Sequence, residues 1–187
     1  MYLMLRMIGI FLSLISVVLA MLKIHHWYFI GVIGFWLLFA SSPKRKTSLG
    51  LLLHDRKKFL FLYFVFFLLG CTIELVGRFI LHWWSYPYIH STTMEILLLA
   101  FYPFILLSFR EMHDILEITT KSRSLALVSS MIIGITIWEL PNLVTMDWIY
   151  SIPILTSMQI YNFNIILIAG WAILIGAPTY LYSKMDK

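Results

Sequence analysis

Six long apolar runs, separated by short polar, basic or aromatic segments, govern what this chain can fold into. They cover residues 3–22, 26–40, 59–81, 92–109, 124–140 and 155–182. A bilayer core about 30 Å thick is crossed by a helix of about 20 apolar residues. In lipid, backbone N–H and C=O groups must pair internally, which leaves helices for runs of this kind. The balance of residue types agrees, because only 12% are charged and 61% are hydrophobic, against about a quarter charged in a soluble domain. The expected fold is therefore all-α: a polytopic integral membrane protein with six transmembrane helices in three hairpins, in one domain covering residues 1–187. Residues 7–20 resemble a signal-peptide core, but the small-x-small cleavage pattern is poor, so a retained first helix is expected. Residues 41–58 read as a basic cytoplasmic loop. Pro103 interrupts the fourth run, and residues 110–123 read as a separate short cytoplasmic or interfacial helix.

Charge placement predicts the orientation. With six spans, one side collects Arg6, the six basic residues between 44 and 58, Arg110, Lys121, Arg123, Lys184 and Lys187. The other side holds only Lys23 and Arg78. By the positive-inside rule both termini are cytoplasmic in a multi-pass cell-membrane protein. The outer connections are residues 23–26, 82–91 and 142–154. Although the net charge is +5, its placement between apolar runs reads as topology and not as a nucleic-acid footprint.

A pattern recurs at an offset of 64 residues. Gly70, Thr72 and Ile73 correspond to Gly134, Thr136 and Ile137. Trp84, Tyr86, Met94 and Ile96 correspond to Trp148, Tyr150, Met158 and Ile160. Glu74 is one residue out of step with Glu139, and Glu95 falls on Gln159. An internal repeat relating helices 3–4 to helices 5–6 is expected, with a site at the interface of the copies, as in other membrane folds.

Ionisable residues inside spans are costly and so mark structure or function. Glu74 and Arg78 are four apart, on one helical face, and are expected to pair. The face also carries Gly70 and Gly77, which admit a close neighbour. Glu139 has no cation within a turn, so it is expected to be neutral where Glu74 is ionised. Either arrangement also serves simply to lock helices together. Helix four presents Glu95 and Tyr102, and helix six presents Gln159 and Asn162 with Ala169 and Gly176, both suited to face a shared cavity. Trp27, Tyr28, Trp83, Trp84, Tyr86, Tyr88, Trp148 and Tyr150 fit an interfacial belt or an aromatic lining for a cation. Cys71 is the single cysteine, so no intramolecular disulfide forms. The six histidines (His25, His26, His54, His82, His90 and His113) show no HxxxH or HExxH spacing. No phosphate loop, nucleophile elbow or CxxC occurs, and no metal or other cofactor is expected.

The order of an acid, about ten residues, Trp-x-aromatic and a Glu opening the next helix resembles the membrane-embedded carotenoid enzymes. These are the lycopene cyclases of the small heterodimeric type and the related hydratases. The residues carrying the resemblance are Glu74, Trp84-Ser85-Tyr86 and Met94-Glu95, then Glu139, Trp148-Ile149-Tyr150 and Met158-Gln159, with Gly170-Trp171 in the last helix. The cyclase Pro-x-Glu-Glu is here reduced to Glu95 after Thr93-Met94, and the second copy has Gln159 in place of an acid. The resemblance implies a lipophilic isoprenoid entering from membrane lipid. For such chemistry the environments of the acids, and not a matched motif, assign Glu139 as acid and Glu74 as base with Arg78 holding it ionised. Glu95, Trp84, Tyr86, Trp148, Tyr150, Gln159 and Asn162 are the expected substrate-binding residues.

Two other classes remain open from the residues alone. One is a transporter whose acids line a path for an ion or small solute, and the apolar stretches 59–69 and 165–168 disfavour it. The other is a structural or assembly subunit whose acids fix helix packing. A hydrophobic pocket holding all three acids, Glu74, Glu95 and Glu139, would favour the enzyme, and dispersed acids the structural reading.

Overall fold

The computed structural model describes residues 1–42, 46–153, 159–160, 163–164 and 166–185, with backbone alone for 159–160 and 163–164. Its helices are α1 (Tyr2–Met21), α2 (Trp27–Ala40), α3 (Ser48–His54), α4 (Arg56–Glu74), α5 (Thr92–Thr120), α6 (Arg123–Thr145) and α7 (Leu167–Met185). A π-helical turn, Leu75–Ile80, extends α4. Two short antiparallel pairs join β1 (Trp84–Ser85) to β2 (Ile149–Tyr150) and β3 (Gln159–Ile160) to β4 (Phe163–Asn164).

Local chemistry starts the helices where polar caps occur. Thr47, Asp55, Ser91 and Ser122 each accept a hydrogen bond from the backbone N–H three residues on, which satisfies a donor that the first helical turn leaves free. Four helices, α1, α4 with its π turn, α5 and α6, are long and apolar enough to cross a bilayer, while α2 is a shorter apolar helix. Helix α1 has the surface expected of a helix in lipid. Its buried face is Gly9, Ser13, Ser16 and Ala20, and its exposed face is Leu3, Met7, Phe11, Leu14 and Val18. Small residues inside and large apolar ones outside reverse the pattern of a soluble helix. The small face is seated on Gly31 and Gly34 of α2. A Cβ at Gly9 would stand 2.5 Å from the backbone N of Leu38, so the two backbones approach as closely as side chains allow.

The core divides into two clusters. One, toward the Trp-rich loops (the aromatic end), gathers Trp27, Tyr28, Phe35, Tyr102, Phe109, Trp138 and Trp171. The other, toward the basic loop (the basic end), gathers Trp36, Phe59, Leu62, Phe66, Leu106, Leu107 and Tyr182. A polar knot closes the basic end. Glu111 is fully buried and accepts from Ser48 N at 2.6 Å and from Arg110 Nη1 at 2.8 Å. Arg110 Nη2 reaches Asp114 at 2.7 Å, and the guanidinium lies 3.6 Å over the Tyr182 ring. The knot fastens α3 and α7 to α5.

Several boundaries differ from the sequence expectation. The fourth run and segment 110–123 are not two helices but one, α5, which continues through Pro103. Proline withholds the donor that would reach the carbonyl four residues before it. In the same turn the Tyr63 hydroxyl of α4 donates to Ala100 O at 2.7 Å, a helix-to-helix bond to a backbone carbonyl. The basic loop 41–58 contains α3 and the first turn of α4. In the last run the described elements are the β3–β4 pair and then α7 from Leu167. Asn162 lies outside the described residues, as does the side chain of Gln159.

Candidate functional site

Glu74 ends the α-helical part of α4 and is 2% exposed. Its carboxyl accepts from Tyr102 OH at 2.6 Å, Tyr86 OH at 2.7 Å and Trp84 Nε1 at 3.4 Å. Glycines make room for two of these donors. A Cβ at Gly70 would stand 2.7 Å from Tyr102 Cβ, and one at Gly77 would overlap the Trp84 ring. Gly70 thus admits a neighbouring helix, α5, through Tyr102, whereas Gly77 admits the Trp84 ring of the following loop.

Glu139, near the end of α6, is 5% exposed and is held the same way. It accepts from Tyr150 OH at 2.8 Å, Trp171 Nε1 at 3.2 Å and Trp148 Nε1 at 3.3 Å. A Cβ at Gly134 would stand 2.7 Å from the Trp171 ring. The loop carrying Trp148 is pinned by Asn142, which donates to Trp148 O at 2.9 Å and accepts from Trp148 N at 3.0 Å. Each acid thus has two hydroxyl or indole donors from the loop that follows it and a third from the next long helix, and all are neutral. Tyr86 and Tyr150 lie outside the long helices. Burial, then the charges and hydroxyls around them, pushes both phenols well above their usual value, so they act as donors at any ordinary pH.

The β1–β2 pair brings the two loops together, with Trp84 opposite Tyr150 and Ser85 opposite Ile149. Ser151 N adds a bond to Trp83 O at 2.7 Å. Beneath this ribbon lies a cavity of about 710 Å³. Glu139, Trp138, Trp148, Trp171, Trp84 and Tyr102 are on its wall, and aliphatic residues of α4, α5 and α7 complete it. Glu139 opens on the cavity directly. Glu74 is not on the wall and sits behind Trp84, Tyr86 and Tyr102.

The expected Glu74–Arg78 pair is replaced by another. Arg78 Nη2 donates to Glu95 Oε1 at 2.9 Å, and the Arg78 guanidinium lies 5.2 Å from the Tyr86 ring centre. Arg78 lies within the π turn, and its guanidinium has a closer partner in Glu95 at the start of α5. Glu74 is therefore not the salt-bridged partner of the expected asymmetry, because both acids rest on three neutral donors. Glu95 and Arg78 lie off the cavity wall, while Trp84, Tyr86, Trp148 and Tyr150 are on it. Tyr28, read from sequence only as one of the outer aromatics, and Trp138, not singled out there, also line it. Nothing in their spacing marks them as substrate-facing. His25 Nδ1 lies 3.2 Å from Asp147 Oδ1, and its ring stacks on Tyr88. One group of three metal-ligating side chains gathers among the described residues, and it does not involve His25. No family model, curated protein or solved structure matches this chain.

Proposed function

We propose that this chain is a six-span membrane protein, both termini cytoplasmic, that carries out acid–base chemistry on an isoprenoid or similar unsaturated lipid in the outer-leaflet half of the bilayer. The observation that carries the reading is a buried carboxyl, Glu139, set in the wall of an apolar, aromatic-lined cavity with three neutral donors behind it. At roughly the 30 Å³ that a water-sized group occupies in a liquid, the cavity takes about twenty heavy atoms of an alkyl chain. A charged or strongly polar solute has few partners there.

The chemistry follows from the residues. Glu139 transfers its proton to one carbon of a substrate double bond, leaving a carbocation on the other. The negative charge that grows on Glu139 falls on the Tyr150, Trp148 and Trp171 donors, which are already aimed at it. The cation faces the rings of Trp138, Trp148 and Trp84, which stabilise positive charge over their faces. Loss of a neighbouring proton to a carboxylate gives an isomerised alkene. Attack of a second double bond of the substrate on the cation, followed by such a loss, gives a ring. Attack by water, with a proton of that water passing to a carboxylate, gives an alcohol. Glu74, reached through Tyr86 and Tyr102, is the second proton-exchanging group. This agrees with the resemblance to lycopene cyclases and carotenoid hydratases. Glu95 and Arg78 fasten α5 to the end of α4, and this replaces the substrate-binding and tuning roles expected for them.

The internal repeat belongs to the same proposal. Gly70 and Gly134 each seat an aromatic donor from the next long helix, and Glu74 and Glu139 each accept from a Trp-x-Tyr in the loop that follows. Antiparallel pairing of Trp84-Ser85 with Ile149-Tyr150 is the contact that two copies make across a local two-fold axis. Tyr102 and Trp171 are not at the 64-residue offset, so the copies have diverged in their third donor. The test is extraction in mild detergent with mass spectrometry of co-purifying lipids, followed by incubation with the isoprenoid found. Glu139→Gln is expected to retain the lipid and abolish its conversion. Full conversion by that variant would refute the assignment.

A further inference from the structure

The cavity lies toward the aromatic end of the bundle, and a second cluster lies at the other end of α5. His113 is 18 residues beyond Glu95 on one continuous helix, or about 27 Å at 1.5 Å per residue. Its ring is 2% exposed, yet Nδ1 has no hydrogen-bond partner among the described residues. A buried ring nitrogen without a partner is costly. This one points between two carboxylates, with Glu117 Oε2 at 3.7 Å and Asp114 Oδ1 at 3.9 Å. These distances are too long for hydrogen bonds, but they suit donor atoms arranged around an ion.

We propose that His113, Asp114 and Glu117 form a binding site for a divalent transition-metal ion of the zinc type. The three donor atoms lie within 4.8 Å of one another. Around a tetrahedral zinc with bonds of 2.0–2.1 Å the donors stand about 3.4 Å apart. Closure on an ion therefore needs shifts of about 1 Å or less, within the reach of side-chain torsions. One imidazole nitrogen with two carboxylate oxygens is a donor set for borderline ions such as zinc or cobalt, whereas magnesium and calcium take oxygen alone.

The local structure holds the ligands for this purpose. His113 and Glu117 are one turn apart on one helical face. Asp114 is fixed through its other oxygen, Oδ2, by Arg110 Nη2 at 2.7 Å, which leaves Oδ1 facing the histidine. Such an outer contact orients a ligand. Arg110 is shared between Glu111 and Asp114, and among the described residues the close partner of Glu117 is the His113 ring. The Glu117 side chain is 44% exposed, so an ion reaches the site from water. Three protein ligands leave a coordination position for water or a partner's side chain.

The test uses the full chain, purified in detergent without a histidine tag, stripped with chelator and titrated with Co²⁺, whose visible absorption reports its coordination; Zn²⁺ is then added as competitor. One equivalent of Co²⁺, displaced by Zn²⁺, is expected. His113→Asn and Glu117→Gln should each weaken binding by more than the roughly 10–100-fold that loss of a supporting contact costs. Glu117 is half exposed, so its variant should fold with an unchanged melting temperature and decides the matter if His113→Asn does not fold. No uptake of Co²⁺, or uptake unaltered in Glu117→Gln, would overturn the proposal.

Discussion

Alanine at Gly77 should destabilise the protein, while alanine at Gly176 should stabilise it, although both are glycines in helical segments of an apolar chain. A Cβ at Gly77 overlaps three atoms of the Trp84 ring, whereas one at Gly176 meets nothing within 4 Å. The Trp84 ring cannot retreat freely, because its Nε1 is on Glu74 and its backbone is paired with Tyr150. Overpacking of this kind costs about 1–3 kcal/mol, and the lost indole bond adds about 1 kcal/mol. Better helix propensity returns at most about 1 kcal/mol. At roughly 2–4 °C per kcal/mol for a chain of this size, Gly77→Ala should melt about 2–12 °C below the parent. Gly176→Ala, with only the propensity gain, should melt about 1–4 °C above it. Gly134→Ala, which presses on Trp171, should fall on the Gly77 side. Scanning fluorimetry in one detergent reads all three. Quenching of tryptophan fluorescence by an added polyene reads the cavity, and should weaken in Gly77→Ala and Gly134→Ala only. Equal melting of Gly77→Ala and Gly176→Ala with unaltered quenching would show that the glycines do not make room for the donors.

Two further outcomes separate structural charges from those at the site. Arg110→Ala leaves Glu111 buried without its guanidinium, so it should cost about 3–5 kcal/mol, seen as a large drop in melting temperature or as failure to accumulate in the membrane. The Arg78–Glu95 pair is more exposed, and a double-mutant cycle with Arg78→Ala and Glu95→Ala should give a coupling of about 0.2–1 kcal/mol. On the proposed function both single variants should convert a co-purifying isoprenoid at nearly the parent rate, and loss of conversion in Arg78→Ala would return that residue to the catalytic group.

Much of the bundle was legible because apolar runs of bilayer length have one solution, and the structure places helices over most of them. The site was legible in its acids and in the Trp-x-Tyr motifs, since uncommon residues recurring at one offset stand out against an aliphatic background. Pairing was less legible. The spacing of Glu74 and Arg78 allows an ion pair, but spacing along one helix does not show the competing acid, Glu95, on the next, and nothing in Leu75–Ile80 announces a π turn. Pro103 suggested a break, yet α5 continues through it. The His113–Glu117 group was hidden for the opposite reason. Its i, i+4 acid and base look like ordinary helical surface chemistry, and only burial of the ring sets them apart.

The donors of Glu74 bear on the chemistry proposed for it. The Arg78 guanidinium donates to Glu95, and the hydrogen bonds of Glu74 come from the neutral groups of Tyr102, Tyr86 and Trp84. A guanidinium bonded to Glu74 in a low-dielectric site would make an ion pair too strong to exchange a proton readily. Gly77, inside the π turn, leaves the space that the Trp84 ring fills beside the acid. Glu139 also rests on three neutral donors, but it opens on the cavity, whereas Glu74 sits behind Trp84, Tyr86 and Tyr102. In the proposed reaction such a shell stabilises a carboxylate as it forms without fixing it in that state, as a group that both gives and takes a proton requires. π turns in α-helices are uncommon and frequent at functional sites, and the one here carries both Gly77 and Arg78.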